Sequence, residues 1–485
     1  MSIKEKLRRI VGADYFSDDP KLLETYSRDG SLVSPGMPNY LIKAQNSKQV
    51  QRVVELANEN LIPVVPVSSR VHFNGAAIPR QGGILLDMSG MNRILEIDEK
   101  NRRARLEPGV NWGQLVKALN KKGHGITMPL LPHSLRSVVM DHMEREVITN
   151  TVYDYGEPLQ SMEVVWPSGE LFRMGSASVN GYPDSPSKGG NPSGPGLDFY
   201  RFLQGAQGTM GIVTWANIKI TSLPAMDKIL FCPVADLDQT MELLYRILRI
   251  RIGQECLILN NINMASIIAQ DMEKDFEKMR AILPPWTLIL VMSGIQYRPE
   301  DKIKYEEDTL NSILKNEFPE IKFLSSLPGI NALDKKLLPM LRKPWPENTT
   351  YWKNRCKGAC QSLFFITRPE QATMFLNLAY EVAVAFDYPI SDIGGYIQPI
   401  EHNRACQVEI NLFYDPQSEL EATLTADLYH KMAEILFDEG AIFSRPYGKL
   451  AKMVYDKTAD YTTTLRRVKH IFDPNNIMNP GNLCF

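Results

Sequence analysis

Between residues 46 and 60 the apolar positions recur at helical spacing. In NSKQVQRVVELANEN, Val50, Val53, Val54 and Ala57 fall on one stripe among polar neighbours. This predicts an amphipathic helix, with Asn46 and Gln49 placed as the two partners of a capping box. The pattern then changes to that of strands. IPVV follows directly, and after a loop come GGILLDM, RILEID and RARLEPG, each short and rich in branched residues, which predicts three strands in quick succession. Asn111 and Gln114 repeat the capping relation, Trp112, Leu115, Val116 and Leu119 repeat the stripe, and Gly123 ends that helix. The N-terminal part is thus mixed helix and strand, without a regular alternation of parallel units.

The stretch 184–197, DSPSKGGNPSGPGL, is too rich in Gly, Pro and Ser to build a core and reads as a long surface loop or lid. Regular patterning returns with FLQGAQGTMGIVTWANIKI. Beyond Leu223 and Pro224 the character changes to a helix near 238–252, a buried strand TLILVMSG, a charged helix near 299–315, a strand VEINLFY at 408–414 and a helix near 417–438. That succession predicts a second lobe of strands backed by helices. The tail, HIFDPNNIMNPGNLCF, is turn-rich and is expected to lie back on the first lobe.

A chain of 485 residues exceeds the roughly 250–300 at which single cores stop growing, so at least two lobes are expected. The 54 basic and 56 acidic residues leave a net charge of −2, which provides no global field for nucleic acid or an anionic membrane. The basic N-terminus lacks the apolar core of a secretory signal, and no run approaches the ~18 apolar residues of a membrane helix, so a cytoplasmic location is expected. The six cysteines have no paired metal spacing and read as free thiols, with Cys356 and Cys360 four apart as on one side of a helix. No metal site is expected.

The stretch PVSSRVHFNGAAIP at 66–79 lies between two apolar runs, where a glycine-rich phosphate loop would sit, yet its first half has no glycine. No G-x-G-x-x-G joins a strand to a helix, and the Walker pattern is absent, which excludes both common nucleotide folds. What remains is an ordered set of segments: IPVVP, the loop ending NGAAIP, LLDMSGMNRILEID, LEPGVNWGQL, GAQGTMGIVT and FDPNNIMNPG. That order resembles the flavoprotein superfamily of vanillyl-alcohol oxidase and p-cresol methylhydroxylase, which also contains glycolate oxidase and D-lactate dehydrogenase subunits. The resemblance implies an α+β fold: an FAD-binding domain of the p-cresol methylhydroxylase type made of two α/β subdomains, and an α+β cap domain. It places the FAD-binding domain at 1–222, completed by 445–485, and the cap or substrate domain at 223–444.

Main-chain N–H groups of a tight loop can hold a pyrophosphate, and glycine lets the backbone come close. The resemblance implies cofactor contacts from Pro66, Ser68, Ser69, Arg70, Val71, His72, Asn74 and Gly75, from Gly205, Gly208, Gly211, Ile212 and Val213 in GAQGTMGIVT, and from Asn479 in the tail. With SSRVH where relatives carry glycines, hydroxyls and the Arg70 guanidinium are expected to replace some backbone donors. Some members attach FAD to a loop histidine, a position that falls at Val71 or His72. Non-covalent FAD is expected here, with His72 hydrogen-bonded to its loop neighbours.

Within the superfamily, GGYIQPIEHNRACQVEIN lacks the histidine pair of the metal-binding HxGDGNxH-like segment, which disfavours a metal-dependent hydroxy-acid site. The vanillyl-alcohol-oxidase branch matches at three places. MDHMEREVITNTVYDYGE, with an acid before an arginine and a tyrosine-bearing turn, implies Glu144 as an acid near flavin N5. GAIFSRPYG implies Arg445 as the arginine that stabilises a substrate phenolate. QSLFF matches the cap strand near the covalent residue of that branch, with Ser362 at a position that cannot form the link. Ser444 stands where the branch has tyrosine, so Tyr447 or Tyr396 is expected to take its part.

The implied function is an FAD-dependent oxidoreductase, dehydrogenase or oxidase, that takes a hydride from an alcohol or alkyl C–H of a small aromatic substrate to flavin N5. Arg445 would stabilise an anionic oxygen and Glu144 would act as base. Two alternatives stand beside it: a 2-hydroxy-acid dehydrogenase subunit of the glycolate or D-lactate kind, and a flavin-free non-catalytic subunit. The implied partners are a small-molecule substrate, an external electron-acceptor protein and a second copy of the chain in a homodimer or larger assembly, with no nucleic acid and no membrane insertion.

Overall fold

The stripe at 46–60 folds as the helix Ser47–Glu59, with Val50, Val53, Val54 and Ala57 buried. The computed structural model describes residues 1–152, 158–178 and 194–485. The tyrosine-bearing turn at 153–157 and most of the 184–197 loop lie outside the described residues. Asn46 caps the helix through the Gln49 N–H, but the Gln49 side chain accepts from the Gln45 N–H instead of closing the box. The reciprocal box does form at Asn111 and Gln114, ahead of the helix Trp112–Asn120.

IPVV supplies the strand Val64–Val67, which pairs in parallel with Ile84–Asp87, itself parallel to Tyr40–Lys43. Ile84–Asp87 is buried at every position, as a central parallel strand must be. The next two strands leave this sheet. Ile94–Asp98 and Arg103–Leu106 join Ile212–Lys219, Leu159–Val165 and Leu171–Met174 in a five-stranded antiparallel sheet. The tail returns to the first sheet: Val64 N–H donates to the Ile477 carbonyl at 2.7 Å, and Asn479 N–H to the Val64 carbonyl at 2.9 Å.

Residues 226–414 build a six-stranded antiparallel sheet in the order Met226–Val234, Trp286–Gly294, Glu255–Asn260, Ile393–Ile400, Ala405–Tyr414, Ala359–Thr367. Alternate residues enter two cores, one on each face. Leu288, Leu290 and Met292 face the core containing the helix Leu237–Leu248, while Ile289 and Val291 face the core containing the helix Asn261–Ile268. Burial on both faces is why TLILVMSG reads as an unbroken apolar run. The cysteines are all free. Cys356 and Cys360 do not share a helix face: Cys360 lies in the strand Ala359–Thr367, where the branched and aromatic residues of QSLFFIT favour extension. No helix among the described residues is long and apolar enough to cross a membrane.

Candidate active site

The loop that follows Val64–Val67 runs along a cavity of about 930 Å³, lined by Pro66, Ser68, His72, Phe73, Asn74 and Ala76 on one side and by Gln207, Gly208, Gly211, Ile212 and Val213 on the other. Asn479 ties these two walls together, donating from Nδ2 to the Ala76 carbonyl at 2.9 Å and to the Gln207 carbonyl at 2.6 Å. Gln207 in turn donates to the Pro446 carbonyl at 2.8 Å. Three segments distant in sequence thus form one rigid cradle. Gly208 has φ +71°, and a Cβ there would stand 2.7 Å from Pro66 Cγ, so glycine is required for this close approach.

The cradle fits a dinucleotide. Across the loop, the backbone N–H groups of His72, Phe73, Asn74 and Ala76 have no acceptor among the described residues, which is the donor set a pyrophosphate needs. Met88, Val139, Met140, Leu203 and Ile212 provide an apolar lining for flat rings. His72 is engaged within the loop, its Nε2 standing 2.5 Å from the Ser69 carbonyl oxygen, and burial pulls its pKa below the ordinary imidazole value.

Not all loop residues expected at the cofactor line this cavity. Arg70 is exposed and turned away. Its guanidinium lies 4.3 Å from the Tyr26 ring centroid and donates to the Thr25 carbonyl at 3.2 Å. Val71, Gly75, Gly205 and Asn479 also lie outside the lining, although Asn479 holds it in shape, Gly205 N–H anchors to the Met143 carbonyl at 2.7 Å and Gly75 N–H donates to Asp29 at 2.7 Å. Ser69 is buried behind the loop.

At one end of the cavity Glu144 and Tyr447 meet, the tyrosine hydroxyl donating to Glu144 Oε2 at 2.8 Å. Burial raises the Glu144 carboxyl above its usual range, against the Tyr447 hydrogen bond and the Arg445 charge. Arg445 is buried, with Nη1 3.0 Å from Glu146 Oε2, Nη2 donating to Gln407 Oε1 at 3.3 Å, and its guanidinium 4.1 Å from the Phe364 ring centroid.

Two smaller chambers, about 460 and 420 Å³, adjoin this end, and Arg136 lines all three. Arg136 Nη2 pairs with Asp141 Oδ1 at 2.6 Å and Glu146 Oε1 at 3.3 Å, and Asp141 accepts from Trp112 Nε1 at 2.7 Å. Lys353 pairs with Glu409 at 2.5 Å. Although burial opposes ionisation, the charges of Arg445, Arg136 and Lys353 hold the Glu146 carboxyl down at about 2. Burial pushes the Asp141 carboxyl up to about 6, against the charge of Arg136 beside it. Phe73 and Tyr351 stack at 5.3 Å on one wall, with Phe364 nearby. Tyr396 lines the 420 Å³ chamber, and its hydroxyl donates to Gln398 Oε1 at 2.8 Å. Ser362 lines the 460 Å³ chamber, donating to Asn411 Oδ1 at 2.6 Å.

The structure therefore brings Glu144 and Tyr447 together at one end of the cavity, whereas Arg445 lies behind them, close enough for its charge to act on both but lining none of the three chambers, and Tyr396 lines the 420 Å³ chamber beside Arg136 and Lys353. Sequence reasoning missed Phe73, Arg136, Glu146, Lys353, Gln407 and Glu409. Glu146 lay in view, two residues after Glu144 in DHMERE, but nothing local distinguished a site acid from a solvated one. Lys353 and Glu409 carry no motif, because they become a pair only when the cap sheet forms.

The FAD binding domain family matches residues 38–175, and the family of FAD linked oxidases, C-terminal domain, matches residues 410–483. The chain is similar to glycolate oxidase subunit GlcD of Bacillus subtilis, 28% identical over 516 aligned positions that cover 99% of this chain and 96% of that one. In three dimensions it is similar to p-cresol methylhydroxylase with substrate bound, with a TM-score of 0.85 at 19% identity, covering 100% of this chain and 96% of that chain. It is equally similar to 4-ethylphenol oxidase of Gulosibacter chungangensis in its isoeugenol complex, with a TM-score of 0.85 at 20% identity, covering 99% and 96%. These matches favour a loaded flavoenzyme over a flavin-free subunit. The chain is an FAD-linked oxidoreductase, and it has the fold of p-cresol methylhydroxylase.

Proposed function

We propose that this oxidoreductase oxidises an alcohol or alkyl C–H of a small aromatic substrate, bound in the chambers beside Glu144. The observation that carries the reading is the Glu144–Tyr447 pair at the end of the cofactor cavity, which shares Phe73, Asn74 and Arg136 with a chamber walled by Phe73, Tyr351 and Phe364. FAD, held by the loop N–H groups and the apolar lining, supplies the hydride acceptor. Glu144, raised by burial, is suited to take a proton from the substrate. Arg136 and Lys353 give the chambers a cationic component that, with the buried charge of Arg445 acting on Glu144 and Glu146, stabilises an anionic oxygen as it develops. Tyr447 and Tyr396 orient the substrate oxygen, and the aromatic walls exclude water.

The similarity to glycolate oxidase subunit GlcD along the whole chain favours a second reading, in which the same cations hold the carboxylate of a 2-hydroxy acid. An external electron acceptor, a cytoplasmic location, a homodimer, non-covalent FAD and domain limits at 222 and 445 complete the proposal. Anaerobic mixing of the yellow protein with 4-ethylphenol, and separately with glycolate and D-lactate, tests the substrate. Bleaching of the flavin by the phenol alone is expected. Bleaching by hydroxy acids alone replaces the first reading with the second, and bleaching by neither removes both. Flavin released into solution by acid precipitation is the expected sign of non-covalent attachment.

A further inference from the structure

A separate cavity of about 740 Å³ opens beside the cofactor cradle and shares only Asn74 and Tyr447 with it. It lies where the segment Ser31–Ser34, the cap helix Glu419–Asp438 and the start of the helix Gly448–Lys457 converge. Its chemistry is lopsided. Leu32, Val33 and Phe364 give it an apolar side; Arg80, His430 and Lys449 give it a basic one, and among the described residues no Asp or Glu lines it.

The cations in the charged chambers described above are matched by carboxylates, whereas those here are not. Neither Arg80 nor Lys449 forms an ion pair among the described residues. Arg80 Nη2 is buried without a hydrogen-bond partner among the described residues, while Nε donates to Asn482 Oδ1 at 3.4 Å. Asp29, the acid whose charge acts on Arg80, is committed elsewhere. Its Oδ1 accepts from Ser31 N–H at 2.9 Å and Ser31 Oγ at 2.5 Å, and its Oδ2 accepts from Gly75 N–H at 2.7 Å. A desolvated guanidinium N–H left without an acceptor is costly, so a cavity that holds one is suited to receive an acceptor from a ligand. The helix Gly448–Lys457 adds to this: among the described residues no side chain caps it, and its first residues, Gly448 and Lys449, line the same cavity.

We propose that this cavity is an anion subsite for the distal end of an elongated substrate, with Arg80 and Lys449 binding a terminal carboxylate and Leu32, Val33 and Phe364 packing its apolar tail. The subsite rests on the proposed function for the reacting end of the ligand only. It makes the preferred substrate an aryl compound with an acidic side chain in place of a simple alkylphenol.

The test uses the FAD-loaded full chain and two probes, 4-(4-hydroxyphenyl)butanoate and its methyl ester, titrated by calorimetry, with flavin bleaching followed separately. The acid is expected to bind at least about tenfold tighter than the ester, as one good charge-assisted contact provides. Lys449→Met, at an exposed position, and Arg80→Met are each expected to bring the two probes within about twofold while retaining FAD. Equal binding of acid and ester, or a preference that survives in both variants, overturns the subsite. Loss of FAD from Arg80→Met also overturns it, because that cation would then serve the cofactor. If the acid preference holds and neither probe bleaches the flavin, the subsite stands and the reaction reading falls.

Discussion

Tyr447 donates its hydroxyl to Glu144 Oε2 at 2.8 Å across 303 positions of sequence. This contact joins the C-terminal segment to the end of the short helix Val138–Met143, which Glu144 follows, and holds the proposed base in one orientation. Burial raises the Glu144 carboxyl, and the tyrosine hydrogen bond partly offsets that rise by favouring the anion. Removing the hydroxyl in Tyr447→Phe therefore moves the Glu144 pKa further up, and the acidic limb of the pH–rate profile for flavin bleaching moves to higher pH. Glu144→Gln removes that limb and slows bleaching by about 10²- to 10⁴-fold, the range of a lost general base. A normal bleaching rate in Glu144→Gln would exclude the role.

The Glu146 carboxyl carries a stability signature. Its folded pKa of about 2 lies below its ordinary value of 4.5. The stabilisation is complete above pH 4.5 and is lost as pH falls through about 2, because the unfolded chain takes up the proton first. The pairing is worth on the order of 3 kcal/mol at neutral pH. Urea unfolding at stepped pH is expected to show Glu146→Gln less stable than the parent by about that amount at pH 7, with the gap narrowing below pH 4.5.

Gly208 tests the cradle. Its φ is +71°, and a Cβ added there would meet Pro66 Cγ at 2.7 Å, so Gly208→Ala costs about 1 kcal/mol for left-handed backbone and adds a clash. The FAD dissociation constant is expected to rise about tenfold, measured by flavin fluorescence on dilution. Unchanged retention would show that the two walls can part without loss of the cofactor.

Arg70 provides the opposite case. Its guanidinium stacks on Tyr26 outside the cavity, so Arg70→Ala is expected to alter the FAD dissociation constant by no more than about twofold, as for an ordinary surface change. A tenfold loss in the same fluorescence assay would return Arg70 to the phosphate site.

Helices and strands were legible because their signals are local. The stripe of Trp112, Leu115, Val116 and Leu119 and the box of Asn111 and Gln114 lie within one or two turns of chain, and both form as read. The separation of Ile84–Asp87 from Ile94–Asp98 into different sheets was not legible, since both runs are short and rich in branched residues and strand partners are not recorded locally. The same limit applied to PVSSRVHFNGAAIP. Its place after a strand pointed to the cofactor, but which of its side chains turn inward depends on Tyr26, Asp29 and Asn479, which pack against it from elsewhere.

By itself the sequence determined the elements, the glycine positions that permit a close backbone approach and the order of segments that marks a flavoprotein. These follow from side-chain periodicity and backbone sterics over a few residues. Only the tertiary structure decided that Glu144 meets Tyr447, that Arg136 and Arg445 share Glu146, that Lys353 finds Glu409 and that Arg80 has no ion-pair partner among the described residues. Charge pairing and burial depend on which distant segments pack together, and no local pattern of polar residues records that choice.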